Sequence, residues 1–217
     1  MSEALLEVKN ISKHFGGVTA LDKVSLTINK GEVHCLLGEN GSGKSTLIKI
    51  ISGYYKPDGG EIIFDQKHYT QLGINESIQL GIQVIYQDMA IFPNLTVAEN
   101  IAMNYELYNK KKIVKWKKVN EIAKEALDHI GIEMPLNAKV GDLSVADKQL
   151  IAIARSILYN SRLVIMDEPT SALTRKEVNK LFRVVRQLQE EGISILFVSH
   201  KLDEVFEIAD RFTVFRS

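Results

Sequence analysis

The feature that most constrains the fold of this 217-residue chain is a glycine-rich segment between an apolar run and a helix-forming run. Residues 38–46 read Gly-Glu-Asn-Gly-Ser-Gly-Lys-Ser-Thr and satisfy the pattern G-x-x-x-x-G-K-[ST]. The apolar residues 33–37 predict a buried strand, and residues 44–52 predict a helix that ends at Gly53. Glycines let backbone N–H groups turn inward around phosphate oxygens, and a helix N-terminus adds partial positive charge. The segment therefore predicts a phosphate-binding loop.

The side chains of this loop predict separate contacts with a nucleoside triphosphate. We expect Lys44 to reach the β- and γ-phosphates and the Ser45 hydroxyl to ligate Mg²⁺. Thr46 is expected to hydrogen-bond the α-phosphate. The remaining phosphate contacts are assigned to the rest of the loop, which comprises Gly38, Glu39, Asn40, Gly41, Ser42 and Gly43. A glycine-rich turn with an incidental lysine is the alternative, and the flanking strand and helix patterns argue against it.

Two adjacent carboxylates form a second candidate cluster. Asp167 and Glu168 follow the apolar residues 163–166, so they are placed at the carboxyl end of a predicted strand, where parallel sheets bind ligands. We expect Asp167 to hold the Mg²⁺ through water or Ser45, and Glu168 to polarise the attacking water. A strand that ends in two acids is common by itself. Its combination with the phosphate loop is what predicts a site.

Alternating strand and helix patterns predict an α/β fold. Short apolar runs separated by helices indicate a parallel sheet that is covered on both faces. The predicted strands are residues 5–8, 24–28, 33–37, 61–65, 83–86, 163–166, 193–198 and 212–215. The predicted helices are residues 44–52, 96–103, 116–130, 144–158, 174–191 and 201–209. A helical stretch from about residue 92 to residue 158 therefore interrupts the sheet.

The composition argues against a nucleic-acid-binding, disulfide-bonded or membrane-spanning chain. Lys plus Arg and Asp plus Glu each number 27, so the net charge is zero and gives no electrostatic footprint for nucleic acid. The single cysteine, Cys35, cannot close an internal disulfide and lies in a predicted buried strand, which fits a reducing cytosol. No apolar run approaches the roughly 18–20 residues that span a bilayer. We therefore expect any connection with a membrane to run through a partner protein.

Four further segments select among the classes of protein that use such a phosphate loop. Gln87 follows a predicted strand, and residues 143–147 read Leu-Ser-Val-Ala-Asp at the start of a predicted helix. Residues 171–174 read Ser-Ala-Leu-Thr, and His200 follows the strand predicted at residues 193–198. This order around the phosphate loop and the acid pair resembles the ATPases of ABC transporters, and the resemblance covers the whole chain.

The resemblance implies a fold, a domain division and two bound groups. The fold is that of a P-loop NTPase with a RecA-like parallel sheet core, an antiparallel β subdomain and an inserted helical subdomain. Residues 1–217 would form one nucleotide-binding domain, with an ATP-binding core at 1–88 and 159–217 and a helical subdomain at 89–158. The implied cofactors are ATP and Mg²⁺.

The resemblance also implies roles for single residues. Gln87 resembles the Q-loop glutamine that contacts metal and water, and His200 resembles the switch histidine that contacts the γ-phosphate. Phe15 matches the aromatic residue that stacks on adenine. Ser144 belongs to the signature segment, which in this family faces the ATP of a partner domain. Residues 171–174 look like the D-loop.

Narrower details are similar to the ATP-binding subunits of bacterial importers of ribose, galactose and xylose. The phrase Phe-Gly-Gly-Val-Thr-Ala-Leu at residues 15–21 and the signature Leu-Ser-Val-Ala are typical of the first ATPase half of that group. The implied partners are a second ATPase half, as a tandem domain or dimer mate, and transmembrane permease subunits. A periplasmic or extracellular sugar-binding protein is an indirect partner. We expect a cytoplasmic location on the inner face of the membrane, and we hypothesise that this chain is one half of a longer protein.

The signature departs from the family pattern of two glycines followed by glutamine. Val145, Ala146 and Asp147 stand at those positions. Added side chains and a negative charge predict weaker contact with a partner's γ-phosphate. We hypothesise that the site completed by this signature is the weaker of two, and that the site built on Glu168 and His200 is the hydrolytic one.

An apolar loop follows Gln87 at residues 89–95. In the family this region receives a short cytoplasmic helix of the membrane subunit, and Ile91, Phe92 and Leu95 are candidate anchors for it. Packing within the helical subdomain is the alternative for each of these three side chains.

Two other classes of function stay open. A soluble ABC ATPase that acts on the ribosome or on nucleic acid would share this site, and the basic run from Lys110 to Lys118 around Trp116 is compatible with it. A solvated helix start is the favoured interpretation of that run, and no nucleic-acid partner is expected. A small-molecule kinase would need an acceptor-binding lid. Gln87, His200 and the signature-like segment argue against a kinase.

Overall fold

The fold is built on two β-sheets, described here from a computed structural model that covers residues 3–108 and 115–216. The strands are β1 (Ala4–Phe15), β2 (Val18–Asn29), β3 (Val33–Gly38), β4 (Gly59–Phe64), β5 (Lys67–Tyr69), β6 (Ile82–Ile85), β7 (Leu163–Asp167), β8 (Ser194–Ser199) and β9 (Arg211–Phe215). One sheet is parallel, with strand order β6-β7-β8-β3-β9. The other is antiparallel, with order β2-β1-β4-β5. The predicted parallel core and antiparallel subdomain are confirmed.

Helices cover the parallel sheet. They are α1 (Lys44–Ile51), α2 (Ile74–Gln79), α3 (Val97–Tyr108), α4 (Trp116–His129), α5 (Val145–Ile157), α6 (Arg175–Glu190) and α7 (Leu202–Ile208). Along the chain, α3, α4 and α5 lie between β6 and β7, and these three helices pack on one another. This arrangement is the helical insertion that the sequence predicts.

Alternate side chains on the central strands pack into two different apolar layers. On β7, Val164 and Met166 contact the cluster formed with α3 to α6, whereas Leu163 and Ile165 contact the cluster formed with α1 and the antiparallel sheet. Because both faces of these strands are buried, they read as continuous apolar runs rather than as alternating ones. The sheet is therefore fixed in place from both sides.

Two helices begin at capping boxes that the sequence predicts. The Thr96 N–H donates to Glu99 Oε2 at 2.6 Å, and the Glu99 N–H donates to Thr96 Oγ1 at 3.3 Å. At the start of α6, the Thr174 N–H donates to Glu177 Oε2 at 2.8 Å. Such reciprocal bonds satisfy backbone donors that have no partner within the helix, which is why both helices start where the pattern places them.

The sequence prediction was wrong about several elements of the antiparallel half. The strands predicted at residues 5–8 and 24–28 are too short, because β1 and β2 continue into a hairpin that pairs Phe15 with Val18. The strand β5 and the helix α2 were missed. In α2 only Ser77 is buried, and β5 spans three residues, so neither element carries a hydrophobic period that a sequence pattern shows.

The environment of Cys35 agrees with its predicted structural role. The side chain is fully buried, and burial raises the pKa of its thiol to about 12. A thiol with so high a pKa is a poor nucleophile and metal ligand, so Cys35 acts as core packing.

The basic run is only partly described. Residues 109–114, with Lys110, Lys111 and Lys112, lie outside the described residues. Trp116 is exposed at the start of α4, and Lys117 lies 4.0 Å from Glu121 one turn further along the same helix. These contacts agree with a solvated helix start. Within the described ranges, no helix combines the length and apolar character needed to cross a membrane.

Replacing Phe197 with Ala is expected to lower the free energy of unfolding by about 3–5 kcal/mol. Its ring is fully buried on the central strand β8 and packs against Phe182 with ring centroids 5.8 Å apart. Chemical denaturation followed by circular dichroism measures the change. The matched control is Phe206→Ala, because the Phe206 ring is 74% exposed and its loss should cost less than about 0.5 kcal/mol. Equal losses in the two variants would contradict the assignment of this core.

Candidate functional site

The candidate site lies at the carboxyl edge of the parallel sheet. Strand β8 pairs with both β3 and β7, and its register aligns Leu37 with Ser199 and Asp167 with Val198. The three strands therefore end side by side. The loops that follow them carry the glycine-rich segment, the acid pair and His200 to the same edge, where open parallel sheets bind ligands.

A cavity of about 540 Å³ opens between these loops. Glycine-rich loop residues line it together with Gln87, Asp167 and Glu168. The full lining is Val18, Thr19, Ala20, Asn40, Gly41, Gly43, Lys44, Ser45, Thr46, Gln87, Asp167 and Glu168. All of these except the first three are predicted site residues. The structure thus brings together most of the side chains that the sequence assigned to phosphate, metal and water.

The glycine-rich loop has a shape that only glycine permits at one key position. Gly43 has φ of 93°, and a Cβ atom there would lie 2.5 Å from Ala20 O and 2.6 Å from a Leu21 methyl carbon. The contact with Ala20 O involves backbone, which cannot easily yield. Gly43 therefore packs the start of α1 closely against β2 and holds the loop in one position.

Lys44 is already held within the loop. Its ammonium group donates to Gly38 O at 2.7 Å and to Glu39 O at 2.9 Å, and the side chain is buried. The Ser42 hydroxyl is also buried and has no hydrogen-bond partner among the described residues. A buried cation and an unsatisfied hydroxyl in one loop fit a phosphate ligand, because phosphate oxygens accept from both.

The oxygen ligands expected for Mg²⁺ share the cavity. Ser45, Asp167 and Gln87 all line it. Burial raises the pKa of Asp167 above its usual value, and the neighbouring Glu168 charge raises it further, while Lys44 acts in the opposite direction. Hydroxyl, carboxylate and amide oxygens are the donor set that Mg²⁺ prefers, so these residues fit the ion.

Glu168 adopts a strained conformation next to His200. Its φ is 49°, and its N–H donates to Val198 O at 3.0 Å. Glu168 Oε1 lies 3.3 Å from His200 Nδ1. Left-handed backbone at a residue other than glycine persists where the surrounding structure enforces it, and such residues cluster at active sites. Here the conformation brings the carboxylate to the cavity and next to the imidazole.

Sequence reasoning missed a buried acid that connects the loops carrying Glu168 and His200. Glu204 of α7 accepts from Thr170 Oγ1 at 2.5 Å and from Ser199 Oγ at 3.2 Å. Lys201 Nζ donates to Glu204 Oε1 and to Thr170 O, each at 3.0 Å. Because Thr170 follows Glu168 closely and Ser199 precedes His200, this network fixes the two loops relative to each other. A lone glutamate in a helical pattern resembles a solvent-exposed residue, so no sequence signal identified it.

Six predicted site residues do not line this cavity. Gly38, Glu39 and His200 line a second cavity, Ser42 lines a third, and Phe15 and Ser144 line none of the three. Phe15 ends β1, and its 41% exposed ring packs edge-on against Tyr55 with centroids 5.1 Å apart. Ser144 is the N-cap of α5 and does not line the cavity. The adenine-stacking role of Phe15 and the nucleotide contact of Ser144 therefore stay predictions.

The hydroxyl of the signature serine is already hydrogen-bonded. Ser144 Oγ donates to Asp147 Oδ2 at 2.9 Å and accepts from the Asp147 N–H at 3.1 Å. Val145 is exposed at the first position of α5, and Lys180 lies 3.9 Å from the Asp147 carboxylate. Asp147 thus places a carboxylate at the N-terminus of the helix, where an anion is stabilised.

The apolar loop after Gln87 presents one of its three candidate anchors to solvent. Phe92 is 53% exposed, whereas Ile91 packs against the main apolar cluster. The buried Asn100 side chain bonds both backbone groups of Phe92, at 2.9 and 3.0 Å. Packing within the subdomain is therefore the better interpretation for Ile91, and Leu95 is half-buried.

The fold and the site together define a nucleotide-binding α/β protein of the P-loop class. The glycine-rich loop, the buried lysine and the acid pair are its defining features. Residues 21–171 match the ABC transporter family. The chain belongs to this family, as the sequence predicted.

Similar proteins and structures agree with this assignment. The chain is 48% identical over 212 residues to ribose import ATP-binding protein RbsA 1 of Rubrobacter xylanophilus, and 46% identical over 213 residues to RbsA 2 of Rhizobium johnstonii. Each match covers 98% of this chain and 42% of the relative, so the chain spans less than half the length of these curated relatives. The ADP conformation of an ATP-binding cassette of an ABC transporter superposes with a TM-score of 0.87 at 32% identity, covering 99% of this chain and 88% of that one.

Replacing Asp167 with Asn is expected to raise the thermal unfolding midpoint of the metal-free protein at neutral pH. The pKa of Asp167 in the folded state lies above its usual 3.8, so the ionised carboxylate destabilises the fold at every pH above that raised pKa. The gain from Asn should be complete there and should disappear as the pH falls through the raised pKa towards 3.8.

Thermal unfolding in the presence of EDTA, from pH 7 to pH 4, measures this effect. A lower midpoint for the variant at pH 7 would contradict the prediction. A midpoint difference that is the same across the whole pH range would rule out titration of Asp167 as the cause.

Proposed function

We propose that this chain is the ATP-binding and ATP-hydrolysing part of an ABC importer for a sugar. The observation that carries the proposal is the single cavity in which Lys44, Asp167 and Glu168 meet. The names of the similar proteins, which are ribose import ATP-binding proteins, support the sugar. A chain with zero net charge offers nothing that favours nucleic acid instead.

The glycine-rich loop binds the phosphates of ATP in this proposal. Backbone N–H groups at the start of α1 face the phosphate oxygens, and the helix N-terminus favours their negative charge. Lys44 exchanges its two carbonyl partners for phosphate oxygens. Ser45, Asp167 and Gln87 are the residues that would hold Mg²⁺, which would supply positive charge to neutralise the phosphates.

Glu168 is the proposed catalytic base. Its carboxylate orients the attacking water and accepts a proton from it while the water oxygen bonds to the γ-phosphorus, the bond to the β-phosphate oxygen breaks and ADP leaves with that electron pair. His200, 3.3 Å away, fixes that carboxylate and contacts the γ-phosphate. Glu204 is a positioning residue, because it holds the two loops that carry these side chains without itself lining the cavity.

A second ATPase half completes the pair of ATPase domains in the proposed importer. We propose that Ser144 meets the nucleotide of that half, and that the carboxylate of Asp147 weakens the contact by holding the serine hydroxyl and repelling phosphate. Residues 1–88 and 159–217 would then form the ATP-binding core, and residues 89–158 the helical subdomain that meets the permease. A sugar-binding protein outside the membrane acts indirectly, and this chain works at the cytoplasmic face.

Glu168→Gln is expected to lower ATP hydrolysis by the assembled transporter by at least about 10²-fold, because the amide cannot accept a proton. Binding of ATP should change by less than about threefold, since the amide keeps the size and position of the carboxylate. Steady-state phosphate release and titration with a fluorescent ATP analogue measure the two quantities. The matched control is Glu190→Gln on the exposed face of α6, which should behave as wild type. Wild-type hydrolysis by Glu168→Gln would overturn the assignment of the base.

Phe92→Asp is expected to abolish sugar uptake in reconstituted vesicles while ATP binding is kept. The exposed ring is the proposed apolar contact for the permease, and a carboxylate there would have to be desolvated on docking. Trp116→Asp is the matched control, because this ring lies in the same subdomain and is 58% exposed. Loss of ATP binding in Phe92→Asp would show a structural role, and uptake at the wild-type rate would exclude Phe92 from the interface.

A further inference from the structure

A half-buried arginine joins α5 to the loop that carries Gln87. Arg155 Nη1 donates to Ala90 O and Nη2 donates to Met89 O, each at 2.8 Å. Burial holds the pKa of this guanidinium below its usual value. The ion pairs in the described part of the chain do not include Arg155, and its guanidinium bonds both of these carbonyls.

The two acceptor residues have unusual backbone conformations. Met89 has φ of 54° and Ala90 has φ of 44°. Residues other than glycine rarely adopt left-handed backbone, and two in succession need support from the surrounding structure. The two-pronged guanidinium bonds both carbonyls at once, so it stabilises the pair in this conformation.

The other end of the loop is held separately. The Met89 N–H donates to Tyr86 O at 2.8 Å and closes a turn around Gln87. The Tyr86 hydroxyl lies 3.1 Å from Ser52 Oγ, at the C-terminus of α1. Gln87 itself makes no hydrogen bond of its own with the described residues, so its position at the cavity depends on these two attachments.

We propose that Arg155 is a positioning residue for Gln87. Its paired hydrogen bonds keep the turn at Met89 and Ala90 left-handed, and this turn directs Gln87 into the cavity. The inference rests on the proposed function, because it gives Arg155 a role only if Gln87 acts on ATP and metal.

Helix α5 then connects two proposed nucleotide contacts, the signature segment and the cavity that Gln87 lines. Arg155 lies in the last turn of α5, and Ser144 caps the first turn of the same helix. A shift of α5 at its signature end would therefore move the turn that places Gln87. Helix α5 thus couples the signature segment at its first turn to the position of Gln87 in this chain's own cavity.

Arg155→Met in the assembled transporter is the first test. We expect kcat for ATP hydrolysis to fall by at least about tenfold and the Mg²⁺ concentration for half-maximal rate to rise, since Gln87 loses its fixed position. The Kd for a fluorescent ATP analogue should change by less than about twofold, because the phosphate loop is untouched. Arg155→Lys should recover only part of the rate, since a single ammonium group cannot match the fork of the guanidinium. Arg183→Met removes an exposed cation from α6 and should leave every parameter unchanged.

A double-mutant comparison separates positioning from general stability. If Arg155 acts through Gln87, then adding Arg155→Met to Gln87→Ala should lower the rate no further than Gln87→Ala alone. Effects that multiply would overturn the inference, and so would wild-type kcat in Arg155→Met. If Arg155→Met does not fold, Arg155→Lys enters the same comparison. Wild-type hydrolysis by Gln87→Ala would instead contradict the proposed function of the site.

Discussion

The structure depends on the parallel pairing of β8 with β3 and β7. This pairing places the carboxyl ends of the three strands side by side. The loops that follow the strands carry the glycine-rich segment, the acid pair and His200. The burial of both faces of these strands in two apolar layers prevents them from sliding, because a shift of one residue would exchange the two layers. Sheet register therefore sets where the loops that carry Lys44, Asp167 and His200 begin, and contacts at Gly43 and Glu204 fix the loops beyond that point.

Two features of the candidate site lower the stability of the folded chain. Glu168 has left-handed backbone, and the Asp167 carboxylate beside it is half-buried. Each feature destabilises the folded chain when considered alone. The network around Glu204 offsets part of this by tying the loops together. The strained residues and the hydrogen bonds that offset the strain thus lie on neighbouring loops at the carboxyl edge of the parallel sheet.

Local sequence patterns were enough to predict the phosphate loop, the acid pair and the positions of the core strands along the chain. Those features consist of residues adjacent in the chain, and the strands are apolar throughout. The roles of Glu204 and Arg155 were invisible, because a buried acid and a half-buried arginine on helices look like surface residues until the packing is known. The left-handed turn at Met89 and Ala90 was equally hidden, since neither residue type favours that backbone. The sequence therefore identified the residues of the candidate site, whereas the residues that hold them in position could be identified only from the structure.

The two hydrogen bonds from Lys44 to Gly38 O and Glu39 O have a consequence for affinity. An ammonium group in water must shed its hydration shell before it can bind phosphate, and that loss weakens binding. Here folding has already removed the water and replaced it with fixed carbonyl dipoles. An incoming triphosphate therefore meets a dehydrated cation whose position is set in advance. Preorganisation of this kind moves the cost of dehydrating the ammonium group from the proposed binding step to the folding step, and what remains to be lost on binding is the two carbonyl hydrogen bonds.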